Sequence, residues 1–188
     1  MPKSGWYVIQ VQSGREQVMC DVIRRTCEEF DAMSIVEDPL VEEVFSPRYA
    51  TRMKVHGEWK DVERQLLPGY VVATTSRPDD LGAVLCTIPE LTRMLALGEA
   101  FVPLREEERM WIEESTKQGD RVVPMSLAVG KGDNFTVKEG PLKGREGLVT
   151  RVNRHKCFAI MELHVGQMTI RTKVGLAIVP EDSQEPNN

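Results

Sequence analysis

The chain has 188 residues, 41% of them hydrophobic and 28% charged, with a formal net charge of −5. That balance excludes a disordered or fibrous polymer and supplies enough apolar side chains for one medium core or two small ones. No run of 18 apolar residues occurs, which excludes an apolar membrane-spanning helix; Trp6 to Ile9 is reached without a signal-peptide pattern, so a cytoplasmic location with no membrane partner is expected. The four cysteines, Cys20, Cys27, Cys86 and Cys157, form no CxxC pair. Reduced, buried thiols are expected, with neither a disulfide nor a zinc site.

Charge is distributed unevenly. Residues 1–130 hold 15 basic and 22 acidic side chains, a balance of −7, whereas residues 131–180 hold 9 basic and 4 acidic, a balance of +5, and residues 181–188 add −3. A basic module behind an acidic body suits a nucleic-acid partner, because affinity for phosphate depends on local charge.

In chain order, Trp6-Tyr7-Val8-Ile9-Gln10-Val11-Gln12 is aromatic and β-branched with partial alternation, predicting a core strand that ends at Ser13-Gly14. Ser13 is placed to cap a helix over about 15–29, where Val18, Val22, Ile23 and Cys27 recur at helical spacing while Arg15, Glu16, Arg24, Arg25 and Glu28 fall largely elsewhere. Short extended segments are expected at 34–37 and 42–45, then a charged hairpin with arms 47–54 and 58–64 about the turn residue Gly57. Gly69 to Thr75 is the most strand-like stretch, and Pro78-Asp79-Asp80 opens a short helix through Leu81, Val84 and Leu85. After Pro103-Leu104, a third helix is expected from Arg105 to near Gly119, its glutamates in the first turn complementing the helix dipole.

From 119 to 130 the periodicity weakens, and Pro124 and Gly130 indicate a linker. Five short strands are then expected at 134–138, 146–152, 156–163, 167–172 and 176–179, a pattern that favours a small barrel because closure removes sheet edges. The polar residues 181–188 are expected to be a disordered tail. The fold class is therefore α+β: an antiparallel sheet flanked by helices over 1–118, a linker over 119–130, and a small all-β, SH3-like barrel over 131–180.

Two sequence signals carry function. The run from Gly132-Asp133-Asn134-Phe135-Thr136-Val137 through Glu139-Gly140-Pro141-Leu142-Lys143-Gly144-Arg145 to Glu146-Gly147-Leu148-Val149 closely resembles the KOW motif. Gly140-Pro141 and Gly144 suit a tight reversal, and Gly147 within a strand allows a bend or a close backbone approach. Such a barrel can bind RNA or protein. The second signal joins Trp6 to Val11, Ser13-Gly14 and Glu16 with Leu66-Leu67-Pro68-Gly69-Tyr70-Val71-Val72, which together look like an NGN domain. In this order the two signals resemble the NusG family of transcription elongation and antitermination factors from Trp6 to about Pro180.

That resemblance implies an NGN domain that grips the clamp helices of the largest subunit of RNA polymerase through an apolar surface, here Tyr7, Leu67, Pro68 and Tyr70. Trp6 and Val71 are read as core. Members of the family commonly carry an aromatic residue in the barrel loop after Gly-Pro for a ribosomal protein or Rho, whereas this chain reads Leu142-Lys143-Gly144-Arg145. The departure favours a specialised paralogue resembling LoaP, whose barrel is associated with RNA-hairpin recognition; a general NusG factor with a protein-binding barrel is the alternative. The RNA-binding candidates are Lys138, Lys143, Arg145, Arg151, Arg154, His155, Lys156, Arg171 and Lys173. Arg145, Arg151 and Arg154 lead, since a guanidinium forks onto phosphate or a guanine edge where an ammonium acts as a point charge.

Catalysis has little support. Glu106, Glu107, Glu108, Glu113 and Glu114 point in different directions around a helix. Cys157 near His155 lacks a third group to orient a base, and a buried thiol is the plainer reading. No P-loop or dinucleotide fingerprint occurs, and no cofactor is expected. The resulting expectation is a monomeric, RNA-recruited antiterminator.

Overall fold

The structure is a computed structural model that describes residues 4–35, 38–91, 101–131, 134–165 and 168–180. In chain order its elements are β1 (Gly5–Gln10), α1 (Glu16–Met33), β2 (Glu43–Phe45), β3 (Arg48–Val55), β4 (Glu58–Gln65), β5 (Tyr70–Thr75), α2 (Pro78–Leu85), β6 (Phe101–Pro103), α3 (Glu106–Ser115), β7 (Val122–Val123), β8 (Ser126–Lys131), β9 (Asn134–Glu139), β10 (Val149–Asn153), β11 (Phe158–Val165) and β12 (Met168–Val179). Two compact units interleave along the chain: Met1–Pro47, Leu67–Arg109 and His164–Met168 form the first, and Arg48–Leu66, Met110–Leu163 and Thr169–Asn188 the second.

The first unit holds an antiparallel four-stranded sheet in the order β2-β5-β1-β6. Ile9 pairs with Val71 and Tyr7 with Ala73. Ile9, Val11, Val44, Val71 and Ala73 pack with Met19, Cys20, Ile23 and Cys27 of α1 and Leu81, Val84 and Leu85 of α2. The opposite face carries Trp6, Val8 and Val72, all buried, with the Trp6 and Phe45 rings edge-on at 5.2 Å. Burial on both faces accounts for the nearly unbroken apolar run of β5.

Helix α1 corrects the expected register at its start. Arg15 occupies the N-cap with no side-chain cap bond, so Ser13 is not the cap. Val18 is 49% exposed, while Glu16, expected on the solvent side, is 3% exposed. The three-residue β6 was not expected: too short for periodicity to register, it is held by pairing with β1. Ser34 and Ile35 form no strand, and Val36 and Glu37 lie outside the described residues, as does the tail 181–188.

In the second unit, β3 and β4 form the expected hairpin about His56-Gly57, whose φ values of 50° and 89° suit a two-residue primed turn. Strand β3 also pairs in parallel with β7. The half-barrel has the order β10-β11-β12-β8-β9, with β12 parallel to β8. Strands β7 and β8 lie within the segment read as a linker, their short apolar runs paired with β3 and with β12 and β9. The two last expected strands are one, β12, running through Gly175. A Cβ at Gly175 would lie 2.0 Å from the Ala50 carbonyl oxygen, so this glycine marks a close backbone approach and not a break. Thr51 Oγ1 also donates to the Cys157 carbonyl at 2.7 Å, and Thr172 Oγ1 to the Leu66 carbonyl. Gly147 sits in a 3₁₀ turn, Glu146–Leu148, with nothing within 4 Å of a built Cβ, so it is neither within a strand nor closely approached.

Candidate functional site

The Leu67-Pro68-Gly69-Tyr70 motif is a β-turn. The Tyr70 N–H donates to the Leu67 carbonyl at 3.1 Å, and Gly69, third in the turn, has φ +81°, the type II requirement met by glycine with proline before it. The turn is tied to the start of the chain: the Val11 N–H donates to the Gly69 carbonyl, and the Gly69 N–H to the Glu16 carboxylate, both at 2.8 Å. These bonds join the two halves of the N-terminal motif.

The four apolar candidates do not form one patch. Tyr70 pairs with Gln10 and therefore shares a face with Val8 and Trp6, whereas Tyr7 shares the helix-bearing face with Ile9 and Ala73. The Tyr7 ring stacks on Phe101 with centroids 5.0 Å apart and planes at 25°. Pro68 is exposed, Tyr7 and Tyr70 are half-buried, and Leu67 is fully buried. In this conformation Leu67 is a core side chain supporting the turn.

The nine basic candidates separate into two groups. Lys138 lies on β9, with Lys143 and Arg145 in the turn that follows; Arg145 Nη2 is 3.6 Å from Glu114. That turn is tied to α3 as well, because Trp111 Nε1 donates to the Pro141 carbonyl at 3.1 Å. Leu142 beside it is buried.

The other group lies on β10 to β12 and the 3₁₀ turn Arg154–Lys156. Arg151 pairs with Ile160 and Asn153 with Phe158, so the four share a face. Along β11 burial alternates, with Ala159, Met161, Leu163 and Val165 inward and Phe158, Ile160, Glu162 and His164 half-exposed. Strand β12 adds Lys173, whose Nζ stands 4.9 Å from the Phe158 ring centroid, and Arg171, which donates to Glu162 at 3.0 Å. Arg154, His155 and Lys156 are exposed at the end of this face, although one Arg154 Nη1–H reaches back to the Gly130 carbonyl at 3.5 Å. Phe158 was not among the residues singled out from the sequence; alternation along 156–163, once anchored by charge, could have placed it outward.

Among the described residues, no group of three or more His, Cys, Asp or Glu side chains is disposed to hold a metal ion, and no helix is long and apolar enough to cross a membrane. Cys20 and Cys27 are buried, and burial pushes both thiols up to about 12. The expectation of buried thiols fails at the other two: Cys86 is exposed and Cys157 half-buried. Cys157 has left-handed backbone (φ 50°) closing a 3₁₀ turn, which holds its side chain at the surface; burial raises its pKa, opposed by the Arg52 guanidinium.

An α+β sheet with helices packed on one face, in a chain that continues into a basic five-stranded half-barrel, defines a mixed α+β protein of two compact units. A family model described as "Transcription termination factor nusG" matches residues 4–124, and the chain belongs to the NusG family as a NusG-type transcription termination/antitermination factor. It is 27% identical over 163 residues to the transcription termination/antitermination protein NusG of Lactococcus lactis, covering 85% of this chain and 84% of the relative. The corresponding protein of Campylobacter jejuni is 27% identical over 145 residues, covering 77% and 78%. A solved structure described as "Domain interaction in Thermotoga maritima NusG" shares the fold, with a TM-score of 0.52 at 18% identity over 93% of this chain and 94% of that one.

Proposed function

We propose that the chain is a specialised NusG-type factor, resembling LoaP, that holds RNA polymerase through the NGN domain and a nascent RNA hairpin through the basic half-barrel, promoting processive antitermination. On this reading it works in the cytoplasm as a monomer, without cofactor or chemistry of its own, with 1–118 serving chiefly as polymerase module and 131–180, together with β8, as RNA module. Pro68 and Tyr70 meet the clamp helices of the largest subunit, while Leu67 beneath the turn and Tyr7 on the other face hold that surface in shape. Bridging the nucleic-acid channel makes open or swivelled enzyme states less populated, a population shift.

The observation that supports RNA most directly is the set of Arg151 opposite Ile160, Lys173 over Phe158 and Arg171 at Glu162 on β10 to β12 of a segment with a charge of +5, in a chain whose first 130 residues carry −7. The test is in vitro transcription through an intrinsic terminator with and without leader RNA. Read-through that requires both the protein and the leader is expected, and read-through indifferent to the leader would refute the RNA-recruited reading.

One observation favours a general elongation factor with a protein-binding barrel. Arg145, the residue that departs from the family pattern, faces Glu114. On that reading, capture of Rho or a ribosomal protein persists after charge reversal at Arg145 and Arg154.

A further inference from the structure

We infer that the β10–β12 face reads unpaired nucleotides, with Phe158 as a stacking platform. The inference rests on the RNA-binding reading above and specifies its ligand as a single-stranded loop, not an A-form stem. A stem is met through phosphates and 2′-hydroxyls across a shallow groove and needs only cations and polar groups. An unpaired base needs an open π-face with cations at the distance of the flanking phosphates.

The face supplies both. The Lys173 ammonium stands 4.9 Å from the Phe158 centroid, so one side of the ring meets a hydrated cation and not the apolar interior. A base taking that place exchanges a cation–π contact for a stacked one and releases the ammonium to the adjoining phosphate. Ile160 extends the apolar platform along β11, and Arg151, its cross-strand partner, lies to one side. Asn153, opposite Phe158, already commits its side-chain oxygen to the Lys156 N–H at 3.0 Å, which leaves its amide N–H groups as the donors available to a base edge. Glu162 is the one acid on this face of β11 within the second unit, and Arg171 holds it.

The experiment uses the full chain and a fluorescein-labelled leader hairpin with a purine-rich unpaired loop, compared with the same stem closed into continuous duplex. The wild type is expected to prefer the looped RNA. Phe158→Leu, which keeps an apolar side chain, is expected to lose about tenfold for the looped RNA with little change for duplex, and Phe158→Tyr to retain binding. Lys173→Gln is expected instead to lower the salt slope by about one for both RNAs. A 2-aminopurine in the loop, quenched on wild-type binding, tests stacking with no variant at all. Failure of the wild type to bind either RNA overturns the RNA-binding reading itself. Binding with no loop preference, an unaffected Phe158→Leu variant or an unquenched 2-aminopurine overturns the stacking platform while leaving that reading intact.

Discussion

Glu16 Oε1 accepts the Gly69 N–H at 2.8 Å while Oε2 accepts the Gly14 N–H at 2.9 Å, so one buried carboxylate binds its own turn and one 53 residues further along the chain. Burial opposes its charge, yet the N–H groups of Gly69, Glu16 itself and Gly14 outweigh that cost and hold the carboxyl below its ordinary value of 4.5. A group depressed in the folded state stabilises it above the unfolded pKa and loses that contribution as pH falls through the folded one. Stability is therefore expected to decline on acidification below pH 4.5. In Glu16→Gln, an amide faces one of the two N–H donors, which should cost about 2 kcal/mol at neutral pH and flatten the acid limb. Urea titrations across pH measure both, and an unchanged acid limb in the variant would count against this role.

The division of Tyr7 and Tyr70 between opposite faces predicts different consequences for the two. Tyr7→Ala removes the stack on Phe101 and is expected to lower stability by roughly 1–2 kcal/mol. Tyr70→Ala, at the half-buried turn end, is expected to weaken polymerase binding about tenfold or more, in keeping with a hot-spot aromatic, while affecting the melting temperature less. Paired polymerase-binding and melting measurements separate these outcomes; polymerase affinity untouched by Tyr70→Ala would remove the turn from the interface.

Gly175→Ala places a methyl group 2.0 Å from the Ala50 carbonyl oxygen and should destabilise the second unit by about 1–3 kcal/mol. Because the opposing atom belongs to the backbone, adding Ala50→Gly is expected to give no relief. Rescue in the double variant, read by thermal unfolding, would show that the contact is a side-chain one.

Arg145 stands 3.6 Å from Glu114 on a partly exposed surface, a pair worth little to stability. Glu114→Gln should leave the melting temperature nearly unchanged and tighten RNA binding a few-fold at low salt by releasing the guanidinium to phosphate. Equal affinity in wild type and variant at low salt would place Arg145 outside the RNA contact.

The thiols should react in order of exposure. A disulfide reagent is expected to label Cys86 first and Cys157 more slowly, and to reach Cys20 and Cys27, both pushed up to about 12, only on unfolding. Mass-resolved labelling with time checks the order, and early modification of Cys20 would show that α1 opens.

Local chemistry made much of the molecule legible from its residues alone. Pro78 opens α2 and Gly57 reverses the hairpin, because each depends on backbone preferences that a residue carries with it. The charge contrast between body and barrel is likewise a property of the sequence. Tertiary structure decided matters that depend on a partner distant in the chain. Glu16 could be buried only because Gly69 offers an N–H; Gly175 continues a strand because Ala50 approaches it; Tyr7 and Tyr70 separate because antiparallel register assigns their faces; and Phe158 turns outward because Ala159, Met161 and Leu163 take the interior. Sequence specifies what each residue can do nearby, whereas these long-range pairings exist only once the chain has closed upon itself.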